Sequence, residues 1–401
     1  MSPSSDDAKS VLARPLELPC GVSLKNRMIK SAMSDSLGDG AGNPTETQMR
    51  LYERWAEGGA ALSLIGEVQT SPAYPEKPGN LVLAPGVDLS AMRALSRRGS
   101  VTGAQIWPQL GHAGALAHAP ISKPKGPSPL AVEGFHCDGM SAEEIHQLPE
   151  AYARAAAMAQ DCGFGGVQIH AGHGFLLSQF LSPLFNHRSD AYGGGIDCRF
   201  RIIREVIDAV RQSVGAAYPV GIKINSTDKL QGGLTADDAL DVVRMLDGTS
   251  VDLIDISGGT YFPGAASSSD GASSSGPYFI EFSRRAKGIT SVPIILTGGF
   301  ETRAQAALAL QDGSADAVSL ARAMVLNPSL ANAWLNEFDA DPEFPRFASS
   351  PRGGVTAWYS MRLTALGEDA EDQFDLSPAD ALQAYEARDA ERCEIWRKRF
   401  D

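Results

Sequence analysis

Two histidines three residues apart, His170 and His173, follow a short apolar run in the segment VQIHAGHGF. Imidazole groups at this spacing could bind a metal ion, lie buried as structural groups, or donate two hydrogen bonds to one substrate oxygen. A catalytic metal site needs about three protein ligands, for which only His112 and Glu67 are further candidates, and the chain has no HExxH motif. A donor pair that stabilises negative charge on an acceptor oxygen is therefore the preferred interpretation.

Short apolar or β-branched runs alternate with amphipathic segments along most of the chain. We predict strands over residues 28–32, 61–66, 105–110, 166–170, 220–224, 253–257, 293–297 and 317–320. Helical patterns lie between them, such as TADDALDVVRML, which Thr235 and Asp238 open as an acidic variant of a capping box. The alternation predicts a (β/α)8 TIM barrel. A doubly wound parallel sheet is the alternative, but no GxGxxG motif follows an early strand.

The barrel is predicted to occupy residues 15–338. Residues 1–14 are polar and acidic and are expected to form a disordered tail. Residues 339–401 are expected to form a C-terminal arm that packs on the barrel or on a neighbouring subunit, and the second alternative would make the protein a homo-oligomer. The Ser/Gly-rich segment 261–279 is a candidate lid.

The composition limits the partners and the location of the protein. The net charge of −13 argues against a nucleic-acid partner, because phosphate binding needs a local surplus of Lys and Arg. No apolar stretch approaches the roughly 18 residues of a membrane helix, and the start of the chain is unlike a secretory signal. The five cysteines are scattered and include no CxxC pair. We therefore expect a cytoplasmic protein that acts on a small molecule and has no membrane partner.

Functional residues of a TIM barrel lie where its strands end. At these positions the chain carries polar residues or glycines, among them Ser34, Lys223 and Arg322. The sequence therefore predicts one site at one end of the barrel. Glu67 also follows a predicted strand, and we interpret it as a loop cap.

Five motifs resemble those of the Old Yellow Enzyme family of FMN-dependent oxidoreductases. They are LKNRMIKSAMS, QLGHAG, IHAGHGFLLSQFLSPLFNHRSDAYGG, LTGGF, and Arg322 within LARAMVLNP. The resemblance covers about residues 15–330, and the motifs occur in family order. It implies an enzyme that takes hydride from NADH or NADPH and passes it, by way of FMN, to an electron-poor acceptor such as an α,β-unsaturated carbonyl compound.

The resemblance also implies which residues bind FMN. They are Ala32, Met33, Ser34, Gly66, Gln109, Lys223, Gly298, Gly299, Ala321 and Arg322. Backbone amides of the glycines and the Arg322 guanidinium suit a phosphate group. Lys223 corresponds to the basic residue that favours the reduced, anionic flavin, and Gln109 to the amide that binds its pyrimidine edge. Ser34 stands where relatives have Cys or Thr.

Phe175 departs from the family pattern. Relatives that reduce alkenes usually have Tyr at this position, whose hydroxyl protonates the substrate carbon, and phenylalanine cannot donate a proton. We expect Phe175 to line the substrate pocket and Tyr261, after the sixth strand, to replace the missing donor beside the catalytic pair His170 and His173. Because oxidation of a C–N bond needs no such donor, a flavin-dependent amine dehydrogenase or N-demethylase is the alternative function. A metal-dependent barrel hydrolase that uses these histidines and His112 is the alternative of another class.

Overall fold

The computed structural model describes residues 5–132, 134–265, 276–336 and 341–400. Within these ranges the strands β1 to β14 are, in chain order, Leu16–Glu17, Ser23–Leu24, Met28–Lys30, Leu62–Gln69, Leu81–Val82, Gln105–Gly111, Lys125–Gly126, Leu130–Val132, Phe135–Gly139, Val167–Ala171, Val220–Asn225, Leu253–Ser257, Ile294–Thr297 and Ala317–Leu320. The helices α1 to α13 of the same ranges are Ser5–Leu12, Glu46–Glu57, Ser90–Gly99, Ala142–Asp161, Leu176–Leu181, Ile196–Val214, Ala236–Asp247, Ile280–Lys287, Arg303–Gln311, Arg322–Leu326, Leu330–Leu335, Gly354–Gly367 and Pro378–Phe400.

Eight of these strands close into a parallel barrel. Their order around it is β3, β4, β6, β10, β11, β12, β13 and β14, and β14 lies again beside β3. Adjoining strands are parallel, with registers such as His170↔Lys223 and Lys223↔Asp255. All eight overlap the predicted strands, so the predicted TIM barrel is confirmed.

The barrel strands are apolar because both of their faces are covered. Every residue of β4 and of β11 is buried. The surrounding helices bury one apolar stripe each, as α6 does with Phe200, Ile203 and Ile207. Helix α7 begins with the predicted capping box, in which the Asp238 backbone N–H donates to Thr235 Oγ1 at 3.1 Å. None of the helices in the described ranges is long and apolar enough to cross a bilayer.

The N-terminal segment differs from the expected disordered tail. Residues Ser5–Leu12 form α1, and Ala8, Val11 and Leu12 are buried against the barrel helices. The backbone N–H of Arg27 donates to the Leu12 carbonyl at 2.9 Å. The prediction of disorder was wrong for residues 5–14, because the apolar residues in the polar stretch recur at helical spacing and share one face. Residues 1–4 lie outside the described ranges.

The C-terminal arm packs on the barrel of its own chain. Helix α12 lies along α2, and Arg54 Nη1 of α2 donates to Glu371 Oε2 at 2.7 Å. Helix α13 buries Trp396 in an apolar cluster that includes Val82 of β5 and Ile121 of the segment between β6 and β7. The arm is therefore held both by an ion pair and by an aromatic anchor.

Replacing Trp396 by alanine should lower the free energy of unfolding by about 3 kcal/mol, because it removes a buried aromatic side chain that joins the arm to the barrel. Denaturant titration followed by circular dichroism measures this change. Ile395, the preceding residue of α13, is 43% exposed, so Ile395→Ala is the matched control and should cost less than about 0.5 kcal/mol. Equal effects of the two substitutions would contradict the observed packing of the arm.

Candidate active site

A large cavity, which we call the chamber, opens at the carboxyl ends of the barrel strands. Its volume of about 2160 Å³ exceeds the roughly 300–1,000 Å³ of a typical site for one small ligand, so it has room for two ligands side by side. The predicted site residues that line it are Ala32, Met33, Ser34, His173, Lys223, Tyr261, Gly298, Gly299, Ala321 and Arg322. The other predicted site residues lie buried behind its wall, and they are Gly66, Gln109, His170 and Phe175.

Gly66 supports the chamber wall from behind. A Cβ at this position would lie 2.9 Å from the backbone of Met33, closer than a real Cβ approaches. Gly66 also forms a parallel bridge with Ser34. Glycine is therefore needed here so that the segment that follows β3 can lie against β4 and present Met33 and Ser34 to the chamber.

One end of the chamber is suited to a phosphate group. Gly298 and Gly299 follow β13 with φ of +110° and +80°, and a Cβ at Gly299 would lie 2.2 Å from the Gly276 carbonyl oxygen. Only glycine fits this turn. Arg322 follows β14, and its guanidinium lies over the ring of Tyr359 at 4.8 Å from the centroid. The C-terminal arm, which carries Tyr359 on α12, thus orients the predicted phosphate-binding arginine.

Lys223 lies in the chamber floor and is paired with Asp255, which no motif in the sequence had indicated. Its Nζ lies 3.1 Å from Asp255 Oδ2, and both side chains are buried. Asp255 also accepts hydrogen bonds from Thr297 Oγ1 at 2.6 Å and from Gln168 Nε2 at 3.1 Å. Gln109 donates to Gln168 rather than into the chamber. The sequence feature that could have identified Asp255 is a single carboxylate within the apolar strand LIDIS.

The histidine pair does not form two separate donors aimed into the chamber. His170 Nε2 lies 3.2 Å from His173 Nδ1, and His173 Nε2 lies 2.9 Å from Ser257 Oγ. His173 and Ser257 line the chamber, whereas His170 is buried behind them. Asn225 holds the turn in place, since its Oδ1 accepts the backbone N–H of His173 at 2.9 Å and His173 has φ of +58°.

Glu67 is part of this arrangement, and its interpretation as a loop cap was wrong. It lies within β4, fully buried, at a register shift between Ile65 and Val68 that redirects the strand. Its Oε1 lies 2.7 Å from His170 Nδ1. Among the described residues His170 Nδ1 has no other hydrogen-bond partner, so this short contact joins a carboxyl group to an imidazole nitrogen.

Burial sets the protonation states of these groups. It raises the pKa of Glu67 to about 8, although the positive charge of Lys223 opposes the rise. It lowers the pKa of His170 to about 3 and the pKa of His173 well below its ordinary value. At pH 7 Glu67 is therefore mostly protonated, and both imidazoles are neutral.

Phe175 and Tyr261 lie side by side, but only Tyr261 faces the chamber. Phe175 is 2% exposed and packs against Ala113 and Ala117, with its ring 4.8 Å from that of His170. Tyr261 is 63% exposed, and its ring lies 5.7 Å from that of Phe175 and 6.1 Å from that of His173. Most of the candidate lid that follows Tyr261, residues 266–275, lies outside the described ranges.

A second carboxyl group contacts the chamber wall. Ser34 Oγ donates to Glu76 Oε2 at 2.8 Å, and burial raises the pKa of Glu76 to about 7. The arm covers this side of the chamber with Tyr385 and Asp389 of α13. Sequence patterns had not indicated Asp389, because its contacts with Ser36 and Lys77 join segments more than three hundred positions apart in the chain.

The metal-dependent hydrolase is not supported by the positions of the histidines. His112 stacks on Tyr74 with ring centroids 4.3 Å apart, and its Nδ1 accepts the backbone N–H of Gly114 at 3.0 Å. In the part of the chain that the structure describes, no three His, Cys, Asp or Glu side chains are grouped to hold a metal ion.

Comparison with known families decides the assignment of the barrel. Residues 12–337 match the NADH:flavin oxidoreductase / NADH oxidase family. The chain belongs to this family. Membership identifies FMN as the cofactor, with a nicotinamide dinucleotide as the reductant, and makes the protein a flavin-dependent oxidoreductase.

Similar proteins cover most of the chain. The NADH-dependent flavin oxidoreductase iliE of Neonectria sp. (strain DH2) is 34% identical over 88% of this chain, but the match spans only 50% of that relative's length. The protein of the same name from Hypocrea jecorina (strain QM6a) is 32% identical over 79% of this chain and 86% of its own length. The solved Old Yellow Enzyme homologue of Zymomonas mobilis shares the fold, with a TM-score of 0.72, 22% identity, and coverage of 86% of this chain and 98% of that one.

The chamber fits FMN by the chemistry of its donors. The glycine turn and Arg322 offer backbone amides and a guanidinium for the phosphate, at the end of the chamber where a side chain on Gly299 is excluded. The backbone from Ala32 to Ser34 and the Lys223 ammonium line another part of the wall. These are the groups that a flat, anionic cofactor with a phosphate tail requires.

Arg322→Ala should yield protein that is largely free of FMN, because the substitution removes the fixed cation of the phosphate end. The ratio of flavin absorbance to protein absorbance after gel filtration measures the occupancy. Arg284→Ala is the control, since Arg284 is about half exposed on α8 and pairs with Glu281. Full flavin content in the Arg322→Ala variant would show that Arg322 does not bind the phosphate.

Proposed function

We propose that the protein takes hydride from NADH or NADPH and transfers it to an electron-poor acceptor such as an α,β-unsaturated carbonyl compound. The observation that carries this proposal is the chamber itself, with a phosphate cradle at one end and the His173–Ser257 donor pair in its wall. FMN, when bound, supplies the hydride-transfer chemistry that links the two substrates. The shared chamber implies that nicotinamide and acceptor bind in turn.

The chain's own residues hold the cofactor and set its electrostatics. Arg322 and the amides of the glycine turn hold the phosphate. Lys223 keeps a positive charge in the chamber floor, where its pairing with Asp255 fixes the ammonium in place. A fixed cation next to a group that gains negative charge favours reduction of that group.

The acceptor oxygen is proposed to bind at His173 and Ser257. Both side chains face the chamber, and the Ser257 hydroxyl can donate to an oxygen there while its own Oγ accepts from His173. His170 acts from behind, through its contact with His173. Donors placed where negative charge develops lower the barrier to hydride arrival at the acceptor.

Tyr261 is proposed to protonate the acceptor carbon. Its ring lies beside Phe175 and His173 in the chamber wall. Tyr261 therefore supplies a phenol next to Phe175, which has no hydroxyl group. Because Tyr261 is 63% exposed, solvent can restore its proton after each turnover.

Anaerobic addition of NADH or NADPH should bleach the flavin absorbance of the purified protein, and 2-cyclohexenone should then restore it. Stopped-flow spectroscopy follows both half-reactions. Bleaching by a methylated amine, without a response to either nicotinamide, would show instead that the enzyme oxidises C–N bonds. This second function is tested because the buried ring of Phe175 has no hydroxyl group to donate a proton, and oxidation of a C–N bond needs no such donor.

His173→Ala should weaken the binding of a phenol such as 4-hydroxybenzaldehyde more than His170→Ala does, because only His173 reaches the chamber. Loss of one such hydrogen bond corresponds to roughly tenfold in Kd. Titration of the flavin absorbance with the phenol measures Kd in each variant, and flavin content should stay at the wild-type level. Unchanged affinity in both variants would contradict the proposed oxygen site.

A further inference from the structure

A row of close polar contacts leads from the barrel interior to the chamber. Glu67 Oε1 lies 2.7 Å from His170 Nδ1, and His170 Nε2 lies 3.2 Å from His173 Nδ1. His173 Nε2 lies 2.9 Å from Ser257 Oγ at the chamber wall. We propose that these four side chains form a proton relay that supplies the acceptor oxygen with a proton drawn from Glu67. The relay rests on the proposed function, since it serves the same oxygen site.

Donation that runs from Glu67 toward the chamber satisfies every contact in the row. The carboxyl O–H of Glu67 donates to His170 Nδ1, and His170 Nε2–H donates to His173 Nδ1. His173 Nε2–H then donates to Ser257 Oγ, so the Ser257 hydroxyl hydrogen points onward into the chamber. The opposite direction would start from a Glu67 carboxylate and would direct the Ser257 hydroxyl hydrogen at His173, whereas burial favours the neutral carboxyl group of Glu67.

The surroundings of Glu67 allow it to hold a proton and to release it. Gly111 on the neighbouring strand β6 leaves space for the carboxyl, since a Cβ there would lie 2.5 Å from Glu67 Oε2. Burial favours the neutral acid and raises its pKa to about 8, while the charge of Lys223 stabilises the carboxylate. The other ionisable groups that face the row are Asp255 beside His170 and, near Glu67, Glu76 and Tyr152.

The transfer conserves protons and electrons. Ser257 gives its hydroxyl proton to the acceptor oxygen, which becomes negative when hydride arrives, and takes the Nε2 proton of His173. His173 takes the Nε2 proton of His170 at its own Nδ1, and His170 takes the carboxyl proton of Glu67. Each step breaks one O–H or N–H bond and forms another, without a change of oxidation state. Glu67 is left as a carboxylate near Lys223. When Tyr261 protonates the acceptor carbon and the carbonyl group re-forms, the oxygen gives its proton back along the reverse path, so Glu67 is again a carboxyl group and the acceptor has gained one hydride and one proton.

Glu67→Gln keeps the size of the side chain but removes its acidic proton. We expect oxidation of the reduced holoenzyme by 2-cyclohexenone to slow by about tenfold or more, and reduction by NADH to change by less than about twofold, because that half-reaction takes no proton from the relay. In the wild type the 2-cyclohexenone rate should fall as the pH rises through about 8, where Glu67 loses its proton. This fall should be absent from Glu67→Gln. If Glu67 had only a structural role, the pH profile of the variant would have the same shape as that of the wild type.

An infrared measurement tests the proton on Glu67 without turnover. Difference spectra of the oxidised holoenzyme between pH 6 and pH 10, a range of about two units on each side of the titration, should show the carbonyl band of a protonated carboxyl that Glu67→Gln removes. Glu76→Gln identifies the separate contribution of Glu76, whose pKa burial raises to about 7. Absence of a band assigned to Glu67 would overturn the relay whatever the acceptor is.

Gly111→Ala and Tyr261→Phe complete the test. The alanine displaces the Glu67 carboxyl but leaves all four relay groups present, so it should slow the 2-cyclohexenone half-reaction even where the glutamine variant does not fold. If Glu67→Gln and Gly111→Ala both react with 2-cyclohexenone as fast as wild type while Tyr261→Phe reacts slowly, Tyr261 alone supplies the proton. That result overturns the relay and leaves the proposed function intact. If NADH does not bleach the wild type, the proposed function fails instead, and the relay fails with it.

Discussion

The buried carboxylate of Asp255 is the interaction on which the catalytic end of the barrel depends. It binds Lys223 of β11, Thr297 of β13 and Gln168 of β10, and Gln168 in turn holds Gln109 of β6. An ionised carboxylate inside a barrel is costly unless such partners surround it. The strands must therefore meet in register for the interior to be stable, and that same register sets the Lys223 ammonium in the chamber floor. Stability of the barrel and charge in the site are properties of one network.

The barrel alone does not complete the chamber. Tyr359 of α12 lies against the Arg322 guanidinium, and Arg392 of α13 donates to the Ser36 carbonyl beyond β3. If Arg322 binds the phosphate as proposed, the arm preorganises that end of the site, because a cation held against an aromatic face loses little further freedom when it binds an anion. Tyr385 and Asp389 of the same arm face the chamber. Residues of the barrel and residues of the arm thus line the chamber together.

The parts of this architecture that local patterns encode were predictable. Barrel strands covered on both faces read as short apolar runs, and Arg322 and the glycine pair follow two such runs directly. The contacts that connect distant segments were not predictable, because no periodicity reports them. Tyr359 meets Arg322 only through the packing of α12, and α1 was missed since its apolar face is just three residues within a polar stretch. Glu67 had a visible signal, a carboxylate at a strand end, but the register shift that turns it toward His170 has none in the sequence.

Phe175 and Glu67 contact the same imidazole. The Phe175 ring lies 4.8 Å from the His170 ring and packs on Ala113 and Ala117, and Glu67 Oε1 lies 2.7 Å from His170 Nδ1. Burial disfavours the charged form of each ionisable group, so it lowers the pKa of His170 and raises the pKa of Glu67. Phe175, which has no proton to offer, therefore belongs to the apolar surroundings that keep His170 neutral, and only a neutral imidazole can take a proton from a carboxyl group.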